Sequence, residues 1–290
     1  MRDRKLGAVE VEKVIIATGA VDRVIPFQGW TLPGVFTLGA AQIALKAQGV
    51  AIGRRVALVG GGPLLPLLIN QYLAAGLKPV AALDATSFGA KVGAVGGLLN
   101  QPATLAKGLY YVAKARLSGV DIQSSIQDLK AIGDTRVTGL RYTDAAGKVH
   151  DVECDAIAAS FGLRSEAQLA DLAGCSFEFD RLTRQWQPKR DSEGRSSRAG
   201  VYLAGDGAAI GGADVAELTG AGAALALLSD IGRSVDLLEN NALYRGVRRQ
   251  GRFRRAMEAA YPFPSHLLGS IGDDTLVCRC EGITAGSLRD

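Results

Sequence analysis

Histidine and cysteine are scarce in this chain. Its 290 residues include two histidines, His150 and His266, and four cysteines, Cys154, Cys175, Cys278 and Cys280. So few imidazoles make a histidine-dependent hydrolase or a histidine-rich metal site hard to assemble. Four unevenly spaced thiols do not make the disulfide framework of a small secreted domain, and a reducing cytoplasm is the expected compartment. An excess of one charge is also lacking: 33 Lys and Arg against 29 Asp and Glu leave +4, which selects neither nucleic acid nor lipid. No long apolar run is unbroken. The longest, Val56 to Leu77, is interrupted by Gly60-Gly61-Gly62-Pro63 and carries Asn70-Gln71, so no membrane span is expected. The start, Met1-Arg2-Asp3-Arg4-Lys5, has neither the apolar core nor the cleavage pattern of a signal peptide.

What the chain does have is a core and an excess of glycine. It is 48% hydrophobic and 21% charged, which excludes a disordered chain, and its length suits about two domains. Glycine accounts for 37 residues, well above the roughly 7% of ordinary usage. With neither a collagen period nor proline enrichment, the excess points to tight loops around a ligand.

Periodicity predicts a strand over residues 9–17, a helix around Ala40 to Ala47, and a β-α-β unit running from Arg55 to Asp84. A helix from Leu105 to Leu117 follows, then strands at Val120 to Ile126, Thr135 to Tyr142 and Val149 to Ile157. The last two bracket Asp144-Ala145-Ala146-Gly147, a hairpin signal. Ser165 to Leu172 reads as a short helix, Gly200 to Ala204 as a strand and Ala213 to Ile231 as a buried helix.

Gly60-x-Gly62-x-x-Leu65 follows a strand and opens a helix, so its backbone amides can meet a pyrophosphate at the positive helix end. Leu65 replaces the third glycine, which normally lets helix and strand pack closely. Asp84 ends the next strand, where a carboxylate can accept a ribose 2′-hydroxyl. The other reading is a nucleotide-type unit that binds no dinucleotide. Gly205-Asp206-Gly207 follows a second apolar strand. An aspartate there can hold a polyol such as a ribityl chain, or serve only as a turn former or helix cap.

These segments carry a resemblance. Val14-Ile15-Ile16-Ala17-Thr18-Gly19, Gly29-Trp30-Thr31-Leu32-Pro33-Gly34, Gly60-Gly61-Gly62-Pro63-Leu64-Leu65 and Val201-Tyr202-Leu203-Ala204-Gly205-Asp206-Gly207 resemble the two-dinucleotide-domain flavoproteins of the pyridine-nucleotide-disulfide reductase type. With the tail Val277-Cys278-Arg279-Cys280, the set is similar to the FAD-binding subunits of opine oxidases, hydrogen cyanide synthase and the hydroxyproline or proline dehydrogenases.

The resemblance implies an α/β fold with Rossmann-like parallel sheets. It implies FAD held by Ala17, Thr18, Gly19, Gly205, Asp206 and Gly207, with NAD(P) or another nucleotide at Gly60, Gly62 and Asp84. A 2Fe-2S cluster would begin at Cys278 and Cys280. The implied partner is a substrate-oxidising flavoprotein subunit, and the implied substrate a small amine or imino acid whose electrons pass to an acceptor; the alternatives are an NAD(P)H-dependent ferredoxin- or quinone-type reductase and a non-catalytic nucleotide-binding subunit. The flavin domain, expected as incomplete, would comprise residues 1–35 and 161–235, with the nucleotide domain inserted as 36–160. An arginine-rich helical linker, 236–277, would precede the start of the cluster segment, 278–290.

The family's first glycine fingerprint and its second cysteine pair are not among these 290 residues, so a fragment or truncated reading frame is expected. No closely spaced redox pair includes Cys154 or Cys175, which disfavours thiol reduction. Arg245, Arg248, Arg249 and Arg252 share a helix face without an aromatic ladder, favouring a solvated face or an acidic partner surface over nucleic acid.

Overall fold

The computed structural model describes residues 8–235 and 237–290; the charged start Met1 to Lys5 lies outside the described residues. The first strands are β1 (Val14–Ile16), β2 (Ala20–Asp22) and β3 (Val35–Phe36). Helix α1 (Leu38–Gln48) leads to β4 (Val56–Gly60), α2 (Leu64–Ala74) and β5 (Ala81–Asp84). Helices α3 (Phe88–Gly93), α4 (Val95–Leu98) and α5 (Pro102–Leu117) precede β6 (Ile122–Ser124). Next come β7 (Asp128–Ile132), β8 (Gly139–Thr143), β9 (Val149–Glu153), β10 (Ala156–Ser160) and β11 (Leu163–Ser165). After α6 (Gln168–Leu172) come β12 (Phe177–Asp180), β13 (Gln185–Pro188), β14 (Val201–Leu203) and α7 (Ala213–Asp230). Last are α8 (Leu237–Ala260), β15 (Leu276–Cys278), β16 (Ile283–Thr284) and α9 (Ala285–Arg289).

Two compact units divide the chain. One joins the described residues up to Ala20 to Arg164–Gly251; the other joins Val21–Leu163 to Arg252–Asp290. The second unit is built on a five-stranded sheet of order β3-β10-β4-β5-β6, with every pair parallel. Its strands β4 and β10 are buried and apolar on both faces because both faces are covered. On β4, Val56 and Leu58 pack with Leu65, Leu68, Ile69 and Tyr72 of α2. The alternate residues Ala57 and Val59 pack with Leu129, Leu140 and Tyr142 of the antiparallel sheet β7-β8-β9. The spacing of those α2 residues, i, i+3, i+4 and i+7, is one helix stripe.

Residues 21–34 lie in this unit because Ile25 and Phe27 fill the same cluster as Val59. The stretch from Arg252 joins it through Leu267, packed in that cluster, and through the Trp30 indole, which donates to the Leu276 carbonyl at 2.6 Å. The expected inserted domain ran from 36 to 160, whereas this unit runs from Val21 to Leu163 and also takes in the tail.

One expected strand proves to be two. Val149 to Ile157 splits into β9, paired antiparallel with β8, and β10, which lies between β3 and β4. The alternating exposure of β9 suits a one-sided sheet, while all five residues of β10 are buried. Asp155 holds the crossing, its carboxylate accepting from the amides of Arg54 and Arg55 at 3.0 and 2.9 Å. The strand expected over residues 9–17 is limited to β1, and Val9 and Val11 are exposed.

The first unit holds a two-stranded parallel sheet, β1 against β14, with Ile16 opposite Leu203. The hairpin β12-β13 belongs to it too. Arg195 bridges Asp230 at 2.7 Å and also pairs with Glu193, and the Tyr202 hydroxyl donates to Asp230 at 2.6 Å. Arg195 and Tyr202 hold the Asp230 carboxyl down at about 2, while desolvation and then the bond to Asp230 push the Tyr202 phenol up to about 12.

Candidate functional site

In the first unit, Thr18-Gly19 and Gly205-Asp206-Gly207 come together. They follow the C-terminal ends of two paired parallel strands, and the Ala204 amide donates to the Ile16 carbonyl at 3.0 Å. Gly207 is required by contact: a Cβ there would stand 2.5 Å from Thr18 Oγ1 and 3.1 Å from the Gly19 nitrogen. The Thr18 hydroxyl donates to the Glu166 carbonyl, and the Glu166 amide donates to the Gly19 carbonyl at 3.0 Å, fixing the first turn. Thr219 on α7 accepts from the Gly205 amide at 3.0 Å. Asp206 Oδ1 accepts from the amides of Gly211 and Gly212 at 2.7 and 3.0 Å. Its Oδ2 has no partner among the described residues, so one carboxylate oxygen is anchored by the loop and the other is open. Gly212 caps α7 without a side-chain bond, leaving that helix's first amides to a ligand. An anchored acid, an open oxygen and a glycine cradle fit the polyol and phosphate parts of a flavin dinucleotide.

In the second unit, the glycine turn lies where the strand order reverses. β4 has β5, its successor in the chain, on one side and β10 on the other, the kind of place where open α/β sheets bind ligands. At Gly60 a Cβ would stand 2.5 Å from the Ser160 carbonyl oxygen and 2.9 Å from Leu38 Cδ1. Leu65, in the third-glycine position, is buried in the α2 stripe. Asp84 is opposite Gly60 in register and 6% exposed. Its Oδ1 accepts from the Thr86 amide at 2.8 Å and its Oδ2 from the Lys91 ammonium. Lys91 also lies over the Tyr261 ring, 5.7 Å from its centroid. Burial, with the Asp84 charge, pushes the Tyr261 phenol up to about 12.

Cys278 and Cys280 bring their sulfurs to 3.1 Å, and that contact chiefly holds the Cys278 thiol below its ordinary value. Among the described residues no group of three or more His, Cys, Asp or Glu could hold a metal. The pair therefore does not fit a four-ligand cluster within these residues. Cys154 and Cys175 are buried and free, and burial pushes the Cys154 thiol up to about 11. His150 binds Asp144 at the hairpin, and His266 donates to the Ile126 carbonyl, both at 2.7 to 2.8 Å. No described helix is long and apolar enough to cross a membrane.

Sequence reading missed Thr219, Lys91, Thr86 and Tyr261. Lys91 follows Asp84 by seven residues, a spacing that says nothing until α3 folds back over the strand end.

Residues 2–224 match a family described as pyridine nucleotide-disulphide oxidoreductase. The A-subunit of opine oxidase from Rhizobium meliloti is 36% identical over 288 residues, covering 97% of this chain and 54% of that protein. Hydrogen cyanide synthase subunit HcnB of Pseudomonas aeruginosa is 30% identical over 300 residues, covering 98% of this chain and 63% of that one. L-proline dehydrogenase from P. horikoshii superimposes with a TM-score of 0.57 at 20% identity, over 81% of this chain and 37% of that one. T. acidophilum thioredoxin reductase gives 0.53 at 22% identity, over 76% and 66%. At such identities these structures speak for the fold alone, an α/β type with Rossmann-like parallel sheets. The chain spans 54% and 63% of the two curated relatives.

Proposed function

The chain belongs to the pyridine nucleotide-disulphide oxidoreductase family, and on that premise we propose that it is the flavin- and nucleotide-binding part of an FAD-dependent oxidoreductase subunit. Its role is to pass electrons from the oxidation of an amine or imino acid, of opine, proline, hydroxyproline or glycine type, to an acceptor. The observation that carries this reading is the meeting of Thr18-Gly19 with Gly205-Asp206-Gly207 at the ends of β1 and β14.

Gly205, Asp206 and Gly207 would hold the flavin's ribityl and phosphate portion, with Ala17, Thr18 and Gly19 as the facing wall. Asp206 keeps its open oxygen aimed by two backbone amides, and the first turn of α7 balances phosphate charge. A bound flavin supplies two-electron chemistry that can be released as single electrons. Gly60 and Gly62 would receive the phosphates of a second nucleotide. Both relatives are named as subunits of a larger enzyme, which supports a partner; in this reading the partner carries the substrate-oxidising flavin. No residue here is assigned as a catalytic acid or base.

The test is dye reduction by the complete protein with and without its partner subunit, using octopine, proline, hydroxyproline and glycine. Turnover that needs both subunits supports the proposal. NADH or NADPH oxidation by the protein alone, with none of these substrates used, overturns it in favour of a stand-alone NAD(P)H-dependent ferredoxin- or quinone-type reductase. That second reading is favoured by one feature, the glycine turn at the point of strand reversal.

A further inference from the structure

This inference rests on the reading that the parallel-sheet unit holds a nucleotide at the turn Gly60 to Gly62. We infer that Lys91, rather than Asp84, meets the ribose end of that nucleotide, and that the unit prefers a 2′-phosphorylated ribose, as in NADP(H), to a free 2′-hydroxyl.

Asp84 ends β5 beside the glycine turn, where a free carboxylate would accept the two ribose hydroxyls. It is not free. One oxygen takes the Thr86 amide and the other the Lys91 ammonium. A hydrogen bond between two charged groups is stronger than one to a neutral hydroxyl, so a ribose would have to displace Lys91 to reach the acid. Exposure points the same way: the Lys91 side chain is 28% exposed and that of Asp84 8%. The lysine covers the acid and presents its remaining N–H donors outward, steadied by the Tyr261 ring.

A second observation comes from the other side of the acid. Thr86 is 3% exposed, and its Oγ1 stands 3.2 Å from where a Cβ on Gly61 would be. That hydroxyl is a polar group set beside the turn. It lies against the glycine turn, where a hydroxyl can donate to a phosphate oxygen. The start of α2 adds more donors, because Pro63 at its cap makes no side-chain bond to the first amides. From α2 through Thr86 to Lys91 this edge therefore offers donors, while its one carboxylate is already used. A ligand with anionic groups at both ends of its adenosine half matches that arrangement; a ribose diol accepts more weakly from the ammonium and finds no open carboxylate to donate to.

Two probes isolate the difference. Adenosine 5′-monophosphate and adenosine 2′,5′-bisphosphate differ only in the 2′-phosphate, and isothermal titration of each into the full chain reads it directly. The bisphosphate is expected to bind roughly ten-fold or more tighter, the scale of one charge-assisted contact. Lys91→Met should remove the preference and leave monophosphate affinity within about three-fold, since the phosphate end at the glycine turn is untouched. Lys91→Arg should retain the preference, and Asp84→Asn should widen it by freeing the lysine. Equal affinity for the two probes, or a preference that survives Lys91→Met, overturns the inference while leaving the nucleotide reading intact. Failure of both probes to bind overturns the nucleotide reading itself. If Lys91→Met does not fold, the wild-type comparison and Lys91→Arg still decide.

Discussion

At the end of β14 and at the end of β4 the chain builds the same local object, a glycine-bearing turn leading from a parallel strand toward a helix. The acids associated with the two turns differ in what they have left to give. Asp206 spends one oxygen on the amides of its own loop and keeps the other. Asp84 spends both, one of them on the lysine that covers it. A carboxylate near a glycine turn is thus a ligand group only if the fold leaves it an unpaired oxygen, and the neighbouring donors decide that.

The comparison can be broken most severely from below. Leu68 is fully buried under β4, and Leu68→Ala should cost about 2–5 kcal/mol, from the lost transfer free energy and the cavity left behind. Urea unfolding followed by Trp30, in a Trp186→Phe background, reads the parallel-sheet unit. An unchanged midpoint would mean that this core does not support the glycine turn.

A smaller but sharper effect is expected at the other corner. Asp206→Ala should lower flavin affinity of the complete protein by roughly one to two decades, the scale of a charge-assisted bond of about 1.5–3 kcal/mol. Flavin content measured on purification checks it, and full occupancy in the variant removes the role. Asp84→Asn in the same assay should leave flavin content unchanged.

Acid stability separates the units in another way. Asp230 is held down at about 2 by Arg195 and Tyr202, below the roughly 3.9 of an unfolded chain. A lowered folded value means the contribution is present above about 4 and lost as the pH falls from there to about 2. Asp230→Asn should flatten that part of the stability profile for the unit built on β1 and β14. A profile identical to wild type between pH 4 and 2 would show the pair contributes nothing.

The gentlest test is chemical. At neutral pH iodoacetamide should modify Cys278 and Cys280 in the native chain and spare Cys154 and Cys175, which are buried. Peptide mass spectrometry gives the pattern, and labelling of Cys154 at a rate comparable with Cys280 would contradict the buried thiol.

Much of this was legible before folding. The β-α-β unit, the Gly60-Gly61-Gly62 turn and the Asp144 to Gly147 hairpin are local, set by residues within a few positions of one another, and each forms as read. The family resemblance also survives comparison. What failed locally was the run from Val149 to Ile157, whose apolar pattern continues across a change of sheet, because a strand covered on one side and a strand covered on both can be written in adjacent residues.

By itself, then, the sequence determined the element types, the places where glycine is needed and the acids that stand near them, since these follow from short-range sterics and hydrophobic period. Only the tertiary structure decided which acid remains available. Lys91 reaches Asp84, and Tyr261 lies against Lys91, because α3 folds back and the segment beyond Arg252 packs on the same unit, with Ala256 against Gly97. Thr18 meets Gly207 because β1 pairs with a strand more than 180 residues away. Contacts of that separation depend on how much apolar surface each packing buries, a quantity that belongs to the whole fold and to no stretch of the chain.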